Sequence, residues 1–597
     1  MSEYRNVEKP FLNSLHGFGW QIIDQGCNTI PQDATISLRS NFREIVLRDE
    51  FIKSVRKINL TDDAQEWLTD KQLVQIYDDL LAEPYPNLLA ANIAIHELLT
   101  KQTIVVDSNE LTGEQFVKVK LIDFDNISAN SFIAINQFRI DTIGTDKSFI
   151  IPDIVLFVNG MPLVVIECKD FDVANPIHEA VTQIRRYSNQ REATKLAGLR
   201  EGEERLFWFN VFSIATYANI AKYGTITSDE EFYFEWKDVF PRENLPLGVE
   251  LSNLSSQDKL ICGMLAPANL LDILRSFTLF ETSKSGITIK KVPRYQQYRA
   301  VGKIIQRLAT GVTPLERSGV IWHTQGSGKS LTMVMLIRKL RTVEALKAFK
   351  VLLVNDRIDL EEQLGETALL TNEKIDYVEN NNQLREKLAT PSSNIVMVMI
   401  HKFQEAQQKV STRIDKQLEN VNLYRVFKEI NPSENILVLI DEAHRTQGSE
   451  MGDNLFTAFP NATRIAFTGT PLITERHNTK TVERFGSYID KYKLQDAVDD
   501  GATLQIIYEG RSADSAIYDK MLFEEKLNTL LQGYSPEEQA AVRQKYGTSK
   551  DMLDAPEHVN NVANDLVNHY IDNILPNGFK ARNHSAYFYP QCLGVIV

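Results

Sequence analysis

Residues 319–330 read Gly-Val-Ile-Trp-His-Thr-Gln-Gly-Ser-Gly-Lys-Ser. An apolar run, Gly319 to Trp322, gives way to a glycine-rich turn, His323 to Ser330, and a helical pattern runs from Leu331 to Leu340. Strand, turn and helix start follow without a break. Such a turn gathers backbone N–H groups and the positive end of a helix at one spot. The ligand that fits is a nucleoside triphosphate. Thr324, Gln325, Gly326, Ser327 and Gly328 would cradle its phosphates, Lys329 would reach the β- and γ-phosphates, and Ser330 would hold Mg²⁺. The segment fixes a reaction class, binding and hydrolysis of ATP.

Around this turn lies a regular series of buried-strand candidates: Val320 to Trp322, Val351 to Asn355, Ile395 to Ile400, Ile436 to Ile440 and Ile465 to Phe467. Helical patterns separate them, which predicts a parallel sheet covered on both faces, with ligands at the carboxyl ends of its strands. Asp441-Glu442-Ala443-His444 follows one such run. Asp441 is assigned to Mg²⁺, Glu442 to orienting and deprotonating the attacking water, and His444 to the same nucleotide site. Thr468-Gly469-Thr470-Pro471 follows the next run, where hydroxyls can relay the nucleotide state; an ordinary turn is the plain alternative. Gln297 is placed at the adenine edge, with Gln296 as a competing assignment.

These residues resemble the superfamily 2 helicases and translocases. Asn355-Asp356-Arg357 and Ile400-His401-Lys402-Phe403 are smaller matches. By that resemblance Asp356, Arg357, His401, Lys402, Thr468, Gly469 and Thr470 line the nucleic-acid track and couple it to ATP. His323 departs from the pattern, since a small residue usually begins the loop.

Upstream, Ile151-Pro152-Asp153 is followed by Val165-Ile166-Glu167-Cys168-Lys169. Residues two apart on a strand share a face, so Glu167 and Lys169 project together. Asp153 and Glu167 are candidate Mg²⁺ ligands for phosphodiester hydrolysis, with Lys169 positioning water and offsetting charge. Asn159-Gly160 invites a two-residue hairpin turn. In a regular hairpin of that type Asp153 faces Ile166, and the two carboxylates lie on opposite sides. A shared metal therefore requires an odd loop, such as Asn159 to Met161, or a bulge; Pro162, which lacks an N–H, favours such an irregularity, and a simple two-residue hairpin is not expected. A helix capped by Asn175 and opened by Pro176 follows, with Ile177, Val181 and Ile184 inward. Gln183 and Tyr187 share one of its faces and are candidates for contact with a phosphate or base.

The 597 residues call for several domains, and a hydrophobic share of 43% supports real cores. A net charge of −14 excludes a globally basic coat but not a local basic channel. Cys27, Cys168, Cys262 and Cys592 lack metal-type spacing and point to a reducing cytoplasm. No apolar run approaches the ~20 residues of a membrane span. The expected organisation is α/β throughout: a nuclease domain at 1–265 with its core at about 130–220, a linker at 266–290, one motor lobe at 291–480, and the start of a second at 481–597.

Pro-Asp…Glu-x-Lys followed by Gln-x-x-x-Tyr resembles the restriction-endonuclease-like nuclease core that accompanies DNA-translocating motors. With the downstream motifs, the chain is similar to the motor and endonuclease subunit of type I restriction-modification enzymes. The resemblance implies a restriction-endonuclease-like domain followed by RecA-like superfamily 2 lobes with parallel sheets. It also implies ATP, Mg²⁺ and double-stranded DNA as substrates and cofactors, and methyltransferase and specificity subunits as partners, with AdoMet bound only by the methyltransferase. The activity implied is ATP-driven translocation and cleavage of unmethylated DNA away from the recognition site. No second-lobe arginine motif follows Asp490, so the chain reads as truncated, with weak nucleotide binding, little turnover and no processive translocation expected. Two other readings stay open: a stand-alone repair helicase–nuclease, and an ATP- or DNA-binding fragment without motor activity.

Overall fold

The computed structural model describes residues 3–27, 29–82, 84–101, 104–142, 145, 147–192, 196, 198–355, 365, 368–371, 373–378, 381–389, 392–399, 429–443, 450–470, 485–503, 520–539 and 556–574. The chain forms two compact units, Met1–Thr503 and Leu504–Val597. The first is built on two seven-stranded sheets.

The N-terminal sheet runs in sequence order: β1 (Gln21–Ile23), β2 (Phe132–Asn136), β3 (Ile154–Val158), β4 (Met161–Lys169), β5 (Phe212–Tyr217), β6 (Ile220–Gly224) and β7 (Phe234–Glu235). It is mixed, with β1–β2 and β4–β5 parallel and the other pairs antiparallel. Met161 to Cys168 of β4 are all buried, so this strand is covered on both faces. Helices α1 (Lys9–Gly17), α2 (Asp70–Ala82), α3 (Leu88–Lys101) and α4 (Pro176–Tyr187) surround the sheet. Asn175 precedes α4 in the left-handed region at φ 53° and makes no side-chain cap, contrary to its expected role.

Residues 266–290 are not a linker. Helical turns over 267–277 bury Leu270, Leu271, Leu274 and Phe277. A hairpin follows, β8 (Leu279–Thr282) with β9 (Thr288–Lys291). Lys290 of β9 is buried, donating to Asn92 Oδ1 at 2.8 Å and to the Asn210 carbonyl. Local polarity hid this docking because one buried lysine is satisfied by groups far away in sequence.

The second sheet is parallel throughout: β10 (Gly319–His323), β11 (Lys350–Asn355), β12 (Ile375–Tyr377), β13 (Ile395–Met399), β14 (Ile436–Ile440), β15 (Thr463–Thr468) and β16 (Tyr488–Tyr492). Their spatial order is β12-β13-β11-β14-β15-β10-β16. The continuous burial of β11, β13 and β14 is what helices on both faces demand. Strand β16 lies beyond the expected lobe boundary at 480, yet it pairs with β10 in the same sheet. Helix α5 (Tyr295–Thr310) precedes β10, and α6 (Lys329–Thr342) follows it. Lys339 of α6 bonds Asp272 at 2.7 Å and Arg338 donates to the Arg275 carbonyl at 3.1 Å, tying α6 to the helical turns over 267–277.

In the second unit the described residues form α7 (Lys520–Leu531) and α8 (Pro556–His569). No single helix among the described residues is long and apolar enough to cross a membrane.

Candidate active sites

The first centre is made by the β3–β4 hairpin. Asn159 and Gly160 both have positive φ, 49° and 78°, as a two-residue type I′ turn requires. A side chain at Gly160 would meet the Leu47 carbonyl oxygen at 2.6 Å, so the tight turn also fits its packing. Val158 pairs with Met161 and Phe157 with Pro162, but Leu156 then pairs with Val164. Leu163 is the extra residue of a bulge next to Pro162. Of the two irregularities expected, the odd loop is absent and the bulge is present. Ile154 pairs with Ile166, so Asp153 continues the ladder level with Glu167.

The result is a compact group. Asp153 Oδ2 accepts from Cys168 N at 2.7 Å. Lys169 Nζ lies 2.6 Å from Glu167 Oε1 and 4.0 Å from Asp153 Oδ2. Glu167 Oε2 is buried with no hydrogen-bond partner. Glu8, from the turn that leads into α1, enters the same space and accepts from Gln137 Nε2 at 3.3 Å. Carboxylate oxygens of Glu3, Glu8 and Asp153 all lie within 4.8 Å of one another.

Burial, and then the Glu167 charge, raise the Asp153 carboxyl well above its ordinary range. Burial also raises Glu167 against the pull of Lys169. Burial and Asp153 push Glu8 up to about 8. The Lys169 ammonium is raised because Glu167 and Asp153 outweigh its burial. Several carboxylates sharing one lysine, with one oxygen unpartnered, suit a divalent cation. Sequence reasoning missed Glu8; a glutamate in a charged N-terminal stretch carries no local signal for the site.

Tyr187 and Gln183 do meet, Gln183 half-buried and Tyr187 buried beneath it. Tyr187 is 1% exposed and donates to the Ile151 carbonyl at 2.9 Å, while Gln183 Nε2 donates to its hydroxyl at 2.5 Å. Direct contact of Tyr187 with a phosphate or base is therefore corrected: it fixes the backbone two residues before Asp153.

The second centre sits at the carboxyl ends of β10, β14 and β15. Gly326 and Gly328 adopt φ 80° and 82°, and α6 begins at Lys329. Lys329 Nζ lies 3.5 Å from Glu442 Oε1. Asp441 is buried, and its Oδ1 accepts from Glu442 N at 3.0 Å. Burial raises the Asp441 carboxyl, opposed by Lys329. Gln325 and Gly326 are exposed, Thr324 and Ser327 are buried, and Ser330 is half-buried. Ser327 Oγ is buried without a partner.

A Cβ on Gly469 would lie 3.2 Å from Gln325 N and 3.5 Å from Lys329 Nζ, so the Thr468-Gly469-Thr470 turn presses on the loop. Thr468 Oγ1 accepts from Thr470 N at 3.3 Å. Gln297 does not offer a free amide. Its Nε2 donates to the Gly328 carbonyl at 3.2 Å and its Oε1 accepts from Arg294 N at 2.9 Å. Gln296 is buried with both amide atoms unpartnered and lines a cavity of about 240 Å³ with Arg294 and Tyr295. His444, Asp356, Arg357, His401 and Lys402 lie outside the described residues.

Comparison with known proteins agrees with both halves. Residues 1–232 match the family model of the type I restriction enzyme R protein N terminus, and residues 296–540 match that of the SWI2/SNF2 ATPase. The type I restriction enzyme HindI endonuclease subunit of Haemophilus influenzae is 31% identical over 529 residues, 85% of this chain and 46% of that protein. An endonuclease subunit assigned to the type I enzyme MjaIXP of Methanocaldococcus jannaschii is 25% identical over 581 residues, 94% of this chain and 51% of its own. The chain thus spans about half the length of the curated relatives it matches. With an R-protein N-terminal segment joined to an SWI2/SNF2 ATPase segment, it belongs to the family of type I restriction enzyme endonuclease (R) subunits.

Proposed function

We propose that the chain is the ATP-driven double-stranded DNA translocase and Mg²⁺-dependent endonuclease subunit of a type I restriction enzyme. It cuts unmethylated foreign DNA away from the recognition site. It acts in the cytoplasm with methyltransferase and specificity subunits, and AdoMet is bound by the methyltransferase. The observation that carries this reading is the bulge at Leu163, which brings Asp153, Glu167 and Lys169 together in the same chain as the Lys329–Glu442 pair.

Asp153 and Glu167, with Glu8 beside them, would hold Mg²⁺ in the first centre, and Ser330 and Asp441 would hold it in the second. When bound, Mg²⁺ neutralises phosphate charge and acidifies a coordinated water. Lys169 orients the attacking water and balances charge on the phosphodiester. In the second centre, loop amides and Lys329 bind the triphosphate, and Glu442 orients water and takes its proton. The adenine lies toward Gln296, whose buried amide has no protein partner. Contacts to the duplex run along phosphates and carry no sequence information, which leaves site recognition to another subunit.

The test pairs Lys169→Ala with Lys329→Ala. Expected outcomes are loss of Mg²⁺-dependent plasmid cleavage with retained binding of a fluorescent ATP analogue in the first, and loss of analogue binding in the second. Unchanged cleavage by Lys169→Ala sinks the nuclease reading. Unwinding of a forked duplex by the chain alone favours a stand-alone repair enzyme.

A further inference from the structure

His323 ends β10 and is followed at once by the nucleotide loop. Its ring is fully buried, and Nε2 lies 2.9 Å from Asp490 Oδ2. Burial pushes the imidazole down, against the pull of Asp490, so the neutral ring donates from Nε2. Tyr492 packs edge-on against it at 5.8 Å, and the Tyr492 carbonyl accepts from Thr324 N at 2.9 Å. The first residue of the loop is therefore held by β16.

Asp490 is in turn held from α5. Arg299 grips both its oxygens, Nε to Oδ1 at 2.8 Å and Nη2 to Oδ2 at 2.9 Å, and Lys303 Nζ adds a bond at 2.7 Å. His323 and Arg299 keep Asp490 ionised well below the usual carboxylate range despite burial. Arg299 Nη1 then reaches out of the motor sheet to Asp238 Oδ2 at 2.7 Å. Asp238 is 5% exposed and lies just after β7, the last strand of the N-terminal sheet. Its neighbour Lys237 runs a parallel route to Asp500 Oδ1 at 2.6 Å. Asp500 Oδ2 accepts from both Tyr295 and Tyr492 at 2.8 Å. Two adjacent side chains of the N-terminal domain thus brace the strand that holds the start of the loop.

We infer that Asp238 is a positioning residue for the nucleotide loop, acting through Arg299, Asp490 and His323, so that the state of the N-terminal domain is felt where ATP binds. The inference rests on the reading of residues 323–330 as that loop. The charges explain why the link matters. Asp490 and Asp238 together face three cations, Arg299, Lys303 and Arg242, the last 2.8 Å from Asp238 Oδ1. Removing the Asp238 charge leaves Arg299 with one carboxylate, Asp490, beside the Lys491 carbonyl that accepts from Nη2 at 3.1 Å, so its charge pulls on β16 alone. Charge-assisted, bidentate bonds transmit such a change because their geometry is narrow. A buried ion pair that only joins domains would act on global stability instead.

The experiment uses the full chain and two readouts, hydrogen exchange of the peptide spanning 320–332 and affinity for a fluorescent ATP analogue. The variants are Asp238→Asn, His323→Phe, His323→Gln and the Asp238→Asn/His323→Phe double. Asp238→Asn and His323→Phe are each expected to speed loop exchange about fivefold and weaken analogue binding about tenfold, and the double no more than His323→Phe alone. His323→Gln, which keeps a donor near the Nε2 position, is expected to stay close to wild type. Unchanged loop exchange in Asp238→Asn, with any loss confined to melting temperature, overturns the inference, and so do additive effects in the double. If wild type binds no analogue, the nucleotide reading fails by itself, and the exchange readout still decides whether Asp238 positions the loop.

Discussion

Replacing Glu8 by glutamine is expected to stabilise the metal-free protein at alkaline pH. Glu8 is 2% exposed and sits against Asp153, and these two facts push its carboxyl from 4.5 up to about 8. In the folded protein it keeps its proton at pH values where the unfolded chain has already lost it. The folded state binds more protons between pH 4.5 and about 8, so the Glu8 contribution is fully present below 4.5 and is lost as pH rises through about 8. At ~1.36 kcal/mol per pH unit, ionising this group in place costs about 5 kcal/mol once pH exceeds that value. The glutamine side chain would be isosteric, would still accept from Gln137 and would carry no charge. Melting temperatures at pH 6 and pH 9, with and without MgCl₂, read the effect. Relative to Glu8→Gln, wild type should fall on going to pH 9 and be rescued by MgCl₂, because a divalent cation takes the place of the proton. Glu8→Gln should fall less and be rescued less. A variant that melts below wild type at pH 9, or an equal response to MgCl₂ in both, refutes the reasoning.

Gly469→Ala puts a methyl group 3.2 Å from Gln325 N, and equilibrium titration should show nucleotide affinity reduced with the melting temperature nearly unchanged. Tyr187→Phe leaves the Ile151 carbonyl without its donor, so plasmid cleavage should drop while the unfolding free energy falls by about 1–3 kcal/mol. Lys290 is lowered by burial from 10.5 to about 7, so the unfolded chain binds the extra proton between those values and stability gains as pH rises across that window. Denaturant unfolding at pH 7 and pH 9 should show wild type gaining stability relative to Lys290→Met across that window.

What the sequence revealed follows from where its information is local. Runs such as Ile436–Ile440 announce a doubly covered parallel strand in five letters. The glycines of the loop are visible because only that residue type tolerates the left-handed turns at 326 and 328 without strain. Pro162 pointed to an irregular hairpin; the turn itself is a plain two-residue one, and the irregularity is the bulge that aligns Asp153 with Glu167. What stayed hidden depends on partners far along the chain. Glu8 joins a site 145 residues later, as its approach to Asp153 shows. Asp490 lies in the polar strand Tyr-Ile-Asp-Lys-Tyr, whose burial is explained only by Arg299, Lys303 and His323. Gln297 looked like a base reader, but its amide caps its own helix and holds Gly328, leaving Gln296 as the unpartnered amide. Residues 266–290 looked like a tether because their apolar and charged groups are satisfied across domains rather than within the segment.

The most direct test of the account is anomalous scattering from crystals grown with Mn²⁺ and a non-hydrolysable ATP analogue. Two separate manganese peaks are predicted, one among Glu8, Asp153 and Glu167 and one between Ser330, Asp441 and the analogue's phosphates. A single peak, or a peak at neither carboxylate group, contradicts the claim that this chain carries two divalent-cation centres.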